Sequence, residues 1–246
     1  DRREFLTAGK KPKAAPSIKK SLLTPPLTGV NPYTGTWGKK EVVHLLKRTM
    51  FGAKPADVSY FITKTIDQAV DELLNPVDPL PAPPLKDYDV TGAATPDNDV
   101  PPGTTWVNSV SSDGSIQSRR RSSLKKWWIG SMINQDRSIR EKMLLFWHNH
   151  FATETADVSN PNIYYNHVNL LRSKSLGNFK TLVKDVTIDS AMLIYLNGRL
   201  NTASAPDENY ARELQELFTL GKENNPNYTE NDVKAAARVL TGWQIT

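Results

Sequence analysis

Five ionisable side chains crowd the run Arg140-Glu141-Lys142-Met143-Leu144-Leu145-Phe146-Trp147-His148-Asn149-His150-Phe151, which otherwise has little reason to meet water. At 100° per residue, Ile139, Met143, Trp147 and Phe151 fall along one side of a helix. Phe146 lies next to them, and Leu145 and Ala152 fill much of the remainder. A helix that is apolar nearly all round belongs at the centre of a core. His150 then projects between Ile139, Met143 and Phe146, and His148 between Leu144 and Ala152. Buried imidazoles and charges need partners, so Arg140, Glu141, His148 and His150, joined by Glu213 from a later helix, are read as one buried polar cluster.

A second charge in an apolar setting is Glu213. Tyr210, Leu214, Leu217 and Phe218 define the arc of its helix, Leu220 extends one edge, and Glu213 falls between Leu217 and Leu220. A buried carboxylate requires a cation, several donors, a metal or a proton. An ion pair with Arg140 or Arg172 is favoured over a site in which Glu213 faces His148 or His150. His148, His150 and Glu213 are the candidate ligands for a divalent metal, against which stands one geometric objection. Residues at i and i+2 point roughly 160° apart on a regular helix, so both histidines reach one ion only if the helix breaks. His150 and Glu154, at i and i+4, are the better same-face pair if the helix persists.

Other catalytic patterns are weak or missing. The chain has no His-Glu-x-x-His, no phosphate-binding glycine loop and no Gly-x-Ser-x-Gly elbow. Zero cysteines exclude disulfides, thiolate ligands and cysteine nucleophiles. His44 lies on the polar side of its helix, His167 reads as structural, and Trp127-Trp128 read as interhelical packing.

The elements that must position these residues are helical. Residues 1–36 carry five prolines and little periodicity, and read as an extended or disordered basic arm. With few periodic apolar residues, the arm should add little to the stability of the body. A first helix is expected over Lys39–Met50, capped by Gly52, and a second from Pro55 to Leu74. Residues 76–114 form a long Pro- and Gly-rich loop, in which Trp106 hints at packing against the body. Further helices are expected over Gln117–Gln135, the His148/His150 run, Pro161–Arg172, Phe179–Val186 and Ser190–Leu196. Pro206–Leu220 closes on Gly221, and a last helix starts at the capping box Thr229-Glu230-Asn231-Asp232. The fold class is all-α, an irregular body of seven to nine helices over residues 37–246.

The net charge of +5 is a property of the arm. Residues 1–20 hold seven basic side chains against Asp1 and Glu4, and the remaining 24 basic and 24 acidic side chains balance. A basic tail on a neutral body argues against nucleic acid as a partner. Arg119-Arg120-Arg121 with Lys125 and Lys126 is the exception, read as the solvated start of a helix in preference to a phosphate site. No stretch approaches the ~20 apolar residues of a transmembrane segment. Asp1-Arg2-Arg3-Glu4-Phe5-Leu6-Thr7 resembles a twin-arginine export motif without its apolar follow-on, and tips the compartment to the periplasm or cell surface, with the cytoplasm as the alternative.

Four motifs in order carry a family resemblance. Arg140–Met143 through Trp147–Phe151, Ala191–Gly198, Glu208–Gly221, and Tyr228-Thr229-Glu230 to Thr241-Gly242-Trp243 resemble the signature of the large bacterial DUF1800 family. His44–Arg48 with Phe51-Gly52 is similar to its opening helix, and Asp207 stands where the family usually has Asn. The resemblance spans about Trp37 to Trp243. It implies a mainly helical, commonly exported protein, often encoded beside a sulfatase-like partner, and implies no reaction. Members are usually longer, so the chain is expected to be the N-terminal half, incomplete at its C-terminus. Two functions are weighed: an exported structural or protein-interaction component of the cell envelope with another protein as partner, and a metal-dependent enzyme or metal-binding protein centred between the His148/His150 helix and the Glu213 helix. The first is preferred.

Overall fold

Ten α-helices and one 3-10 turn make up the regular structure among the described residues, with only isolated β-bridges besides. The structure, a computed structural model, describes residues 31–89, 94–222 and 227–245. The basic arm assigned to residues 1–36 lies outside the described residues as far as residue 30.

Three short helices form a cluster with its own core. They are α1 (Lys39–Thr49), α2 (Pro55–Phe61) and α3 (Ile66–Leu74), packed through Val42, Leu46, Phe61, Ala69 and Leu73. The single helix expected from Pro55 to Leu74 is thus two. The break has a local cause: Thr65 accepts from the Gln68 backbone while Gln68 Oε1 accepts from the Thr65 N–H, a capping box that starts α3. Gly52 is not a cap either, because α1 ends earlier, at Met50 in extended conformation.

The main core is built by α4 (Gly114–Ile133), α5 (Arg140–His150), α6 (Pro161–Lys174), α7 (Phe179–Thr187) and α8 (Ser190–Tyr195). Leu124, Leu144, Phe151, Val168, Leu171, Leu182, Val186 and Met192 meet there, and Trp106 from the long loop is fully buried among them. Each helix start is marked by a side-chain cap where the sequence offers one: Asp113 on α4, Asn160 on α6, Asn178 on α7 and Asp189 on α8. A third core joins α8 to α9 (Glu208–Glu216) and α10 (Glu230–Val239), through Leu193, Tyr210, Ala211, Val233 and Ala237. Here Gly198, in the 3-10 turn Gly198–Leu200, lets the chain pass under an aromatic ring. A Cβ there would stand 2.6 Å from Tyr210 Cδ1 and 2.9 Å from Leu193 Cδ2. Outside, Arg212 binds both carboxylate oxygens of Glu230, at 2.9 and 2.7 Å, and so pins α9 to α10. The helix expected over Pro206–Leu220 is shorter at both ends, running from Glu208 behind its cap Asp207 to Glu216, and the reversal is completed at Gly221 with φ +88°.

The seam between the α1–α3 cluster and α5 is of a different kind. Arg137 donates to Asp57 at 3.0 Å and lies 3.9 Å over the Tyr60 ring, Lys142 lies 4.3 Å over Phe51, and the Ile139 N–H donates to the Leu73 carbonyl at 2.9 Å. Cations on aromatic faces and hydrogen bonds hold it.

The long loop is held by a buried ion pair that overturns the reading of the arginine run. Arg120, expected at a solvated helix start, has 0% exposure and grips Asp97, also at 0%, through Nε at 2.8 Å and Nη2 at 3.0 Å. On α4, Ile116, Arg120, Ser123 and Leu124 share the buried side, so the middle arginine of three points into the protein. Arg119 pairs with Asp89 instead, at 3.1 Å, and Arg121 donates to the Ser159 carbonyl.

Candidate functional site

The first turn of α5 supplies two of the predicted polar residues, and both have structural partners. Glu141 receives Arg172 from the last turn of α6, Nε to Oε1 at 2.6 Å and Nη2 to Oε2 at 3.0 Å, with both side chains buried. The Arg172 guanidinium also lies 4.5 Å over the Trp127 ring. A bidentate, aromatic-backed pair of this kind fixes the crossing of α4, α5 and α6. Arg140 donates to the Asp78 and Pro79 carbonyls at 2.8 and 3.1 Å, and holds the chain that leaves α3. Together Arg140, Glu141, Asp136, Gln135 and Trp127 line a cleft of about 620 Å³ against residues 78–82.

The last turns of α5 carry the two histidines in opposite directions. His150 Nε2 lies 2.9 Å from the Phe218 carbonyl, to which it donates, and its ring stacks 6.4 Å from Phe146. His148 Nε2 lies 2.7 Å from the Tyr164 hydroxyl of α6. Burial, helped by the neighbouring His167, pushes the His148 imidazole down to about 4, so it is neutral near pH 7. Burial likewise pushes the Tyr164 phenol up, with the Thr153 hydroxyl next to it. The neutral imidazole and the protonated phenol thus share one hydrogen bond.

A third ring completes this group. His167 is fully buried on α6, one turn beyond Tyr164, and its Nδ1 lies 2.8 Å from Asp189 Oδ2. The same oxygen accepts the Ala191 and Met192 N–H groups at the start of α8, so it is an acceptor and Nδ1 carries the proton. His167 Nε2 is left buried with no partner among the described residues. The rings of His148, Tyr164 and His167 stand 5.9, 6.0 and 6.3 Å apart in their three pairings, with Trp128 packed 4.9 Å from His148. Trp128 Nε1 is also buried without a partner among the described residues.

The predicted ligand set of His148, His150 and Glu213 is not brought together. Among the described residues no three His, Asp or Glu side chains converge as a metal site. Glu213 is half-buried, and its side chain makes no hydrogen bond or ion pair among the described residues. Arg172 is taken by Glu141, and Arg140 by the Asp78 and Pro79 carbonyls and Asp136. The reason is the arc. Leu217 and Leu220 are 60% and 46% exposed, so the buried side of α9 turns toward Tyr210, Ala211 and Phe218 and leaves Glu213 at its margin. The arc of α5 is likewise narrower than expected, with Phe146 at 53% exposure. His150 and Glu154 do not pair, because α5 ends at His150 and Phe151 is its C-cap.

A family model described as a protein of unknown function, DUF1800, matches residues 44–246. The chain belongs to the DUF1800 family. No curated protein and no solved structure matches it. In this DUF1800 chain the motifs fall on α5, on α8 with its following turn, and on α9 and α10. Sequence reasoning missed the partners that matter most to His148, namely Tyr164, His167 and Asp189. The available signal was Asp189 as a cap before α8, with Tyr164 and His167 at i and i+3 on one side of α6. No helix among the described residues is long and apolar enough to cross a membrane.

Proposed function

We propose that this DUF1800 chain is an exported structural and protein-interaction component of the bacterial cell envelope. The observation that carries the reading is an aromatic ledge formed by the end of α5 and the start of α7. Phe146 and Phe179 are 53% and 41% exposed, and Trp147 lies between them, 4.9 Å from one ring and 5.5 Å from the other. His150 stacks on Phe146, and the exposed Leu217 immediately precedes Phe218, whose carbonyl anchors His150. Rings that already brace one another offer apolar area at little entropic cost.

The occupant is a second protein with an apolar face. The ring donors of the ledge are already used, Trp147 Nε1 by the Ser175 carbonyl and His150 Nε2 by the Phe218 carbonyl, so covering it strands neither. The buried ion pairs Arg120–Asp97 and Arg172–Glu141 act as internal locks, which suits a scaffold. Export rests on Arg2-Arg3 near the start and on the absence of cysteine.

The test is the double variant Phe146→Ser, Phe179→Ser, which should keep its helical signal. Cross-linking in cells followed by reconstitution with the purified partner should give binding at least about tenfold weaker than wild type, a loss of ~1.4 kcal/mol. A partner bound equally by both proteins would overturn the ledge. Residues 1–36 fused to a reporter active only after export should yield activity.

A further inference from the structure

We infer that His148, His167 and Tyr164 form a binding site for one divalent transition-metal ion of the zinc or copper class, with Asp189 as its outer carboxylate. The inference is independent of the interaction ledge, which lies on other residues.

Three observations converge. The first is the arrangement of rings. Tyr164 and His167 project from one side of α6 and His148 comes across from α5, with centroid separations of 5.9 to 6.3 Å between each pair. Side chains that ligate one ion at bonds of ~2.0–2.2 Å carry their rings at about this spacing. The second is the state of His167. Its Nδ1–H is donated to Asp189, whose oxygen is held in turn by two α8 backbone N–H groups. This carboxylate–histidine arrangement fixes the tautomer with a free lone pair on Nε2. That Nε2 is buried and has no partner among the described residues. The third is Trp128, 4.9 Å from His148, whose Nε1–H is a buried donor also lacking a partner among them. It supplies a hydrogen bond for a water or anion in the fourth position.

The donor set selects the ion. Two imidazole nitrogens and one phenol oxygen suit zinc or copper, whereas magnesium and calcium need oxygen ligands. Binding replaces the proton that Tyr164 shares with His148 at 2.7 Å. The phenol O–H bond breaks, its proton leaves to solvent, and oxygen and imidazole nitrogen each bond the ion. The third ligand is thus a tyrosine.

The experiment uses the untagged chain, stripped by a chelator and dialysed, then titrated with Zn²⁺ by calorimetry and with Cu²⁺ by absorption. The expected result is one ion per chain, a raised melting temperature and a phenolate-to-copper band. Tyr164→Phe should remove that band and keep the fold. Asp189→Asn, which still caps α8, should weaken binding about 10- to 100-fold. His167→Ala should abolish stoichiometric binding, and His44→Ala, on the exposed side of α1, should change nothing. If His167→Ala does not fold, the Tyr164 and Asp189 variants decide. A folded wild type that takes up no ion overturns the site and leaves a lone buried water at the Nε2 atom. Binding that survives Tyr164→Phe with its band intact overturns it too.

Discussion

Arg120 closes on both oxygens of Asp97, 23 residues earlier in the chain, and neither side chain has any exposure. Tyr88 donates to the same carboxylate at 2.7 Å, and Lys86 donates to the Asp97 and Val100 carbonyls at 2.7 and 2.9 Å. The long loop is thereby fastened to α4 by charge, and Trp106 is delivered into the core behind it.

Removing one partner leaves the other charge buried and alone. Arg120→Ala should therefore lower unfolding free energy by roughly 3–5 kcal/mol, while replacing Arg120 with Met and Asp97 with Leu together should cost far less. Urea titration reads both. Equal losses in the two variants would refute the pair as the source.

The same pair sets an acid limit. Burial alone would raise the Asp97 carboxyl, but hydrogen bonds from Arg120 and Tyr88 and the charges of Arg120 and Lys86 outweigh it and hold the group below its ordinary range. A carboxyl depressed in the folded state contributes stability that is present above the unfolded value of ~3.9 and is lost as pH falls through the folded one. Denaturation midpoints should thus drop steeply below about pH 4. Asp97→Asn should be weaker at pH 7 and show a flatter acid slope.

Glu213 and Glu141 make a contrast. Glu141→Gln strips the buried Arg172 of its counter-charge, with an expected loss of roughly 3–5 kcal/mol. Glu213→Gln, at a half-buried unpaired position, should stay within about 0.5 kcal/mol. Comparable melting shifts for the two would show that Glu213 has a partner of equal weight.

At the start of α3, Thr65→Ala removes a cap at the point where two helices were expected to run as one. The loss should be about 1 kcal/mol, and Thr65→Ser should restore most of it. Circular dichroism melts suffice, and an unchanged melt would mean that α3 is held by packing alone.

Helices were legible wherever periodicity and caps are local, as at Thr229-Glu230-Asn231-Asp232, where both hydrogen bonds of the box are present. What failed were inferences about which side of a helix is dry. Counting Leu217 and Leu220 as core puts Glu213 inside, yet both leucines are exposed. Arg120 was placed outside because three arginines in a row look solvated. The stripe Ile116, Arg120, Ser123, Leu124 held the opposite signal. His148 was recognised as needing a partner, but no local pattern names Tyr164, 16 residues on. His167 and Asp189 meet only once α6 and α8 have packed.

The seam between the α1–α3 cluster and α5 gives that cluster a separate response to solution conditions. Guanidinium and ammonium groups on Tyr60, Phe51 and Asp57 are weakened by dissolved ions, whereas apolar cores are not. The expected outcome at high ionic strength is that the first three helices lift and reseat as one cooperative unit before the rings around His148 open. Amide exchange would register this as salt-accelerated opening of residues 39–74, with the α6 amides unaffected.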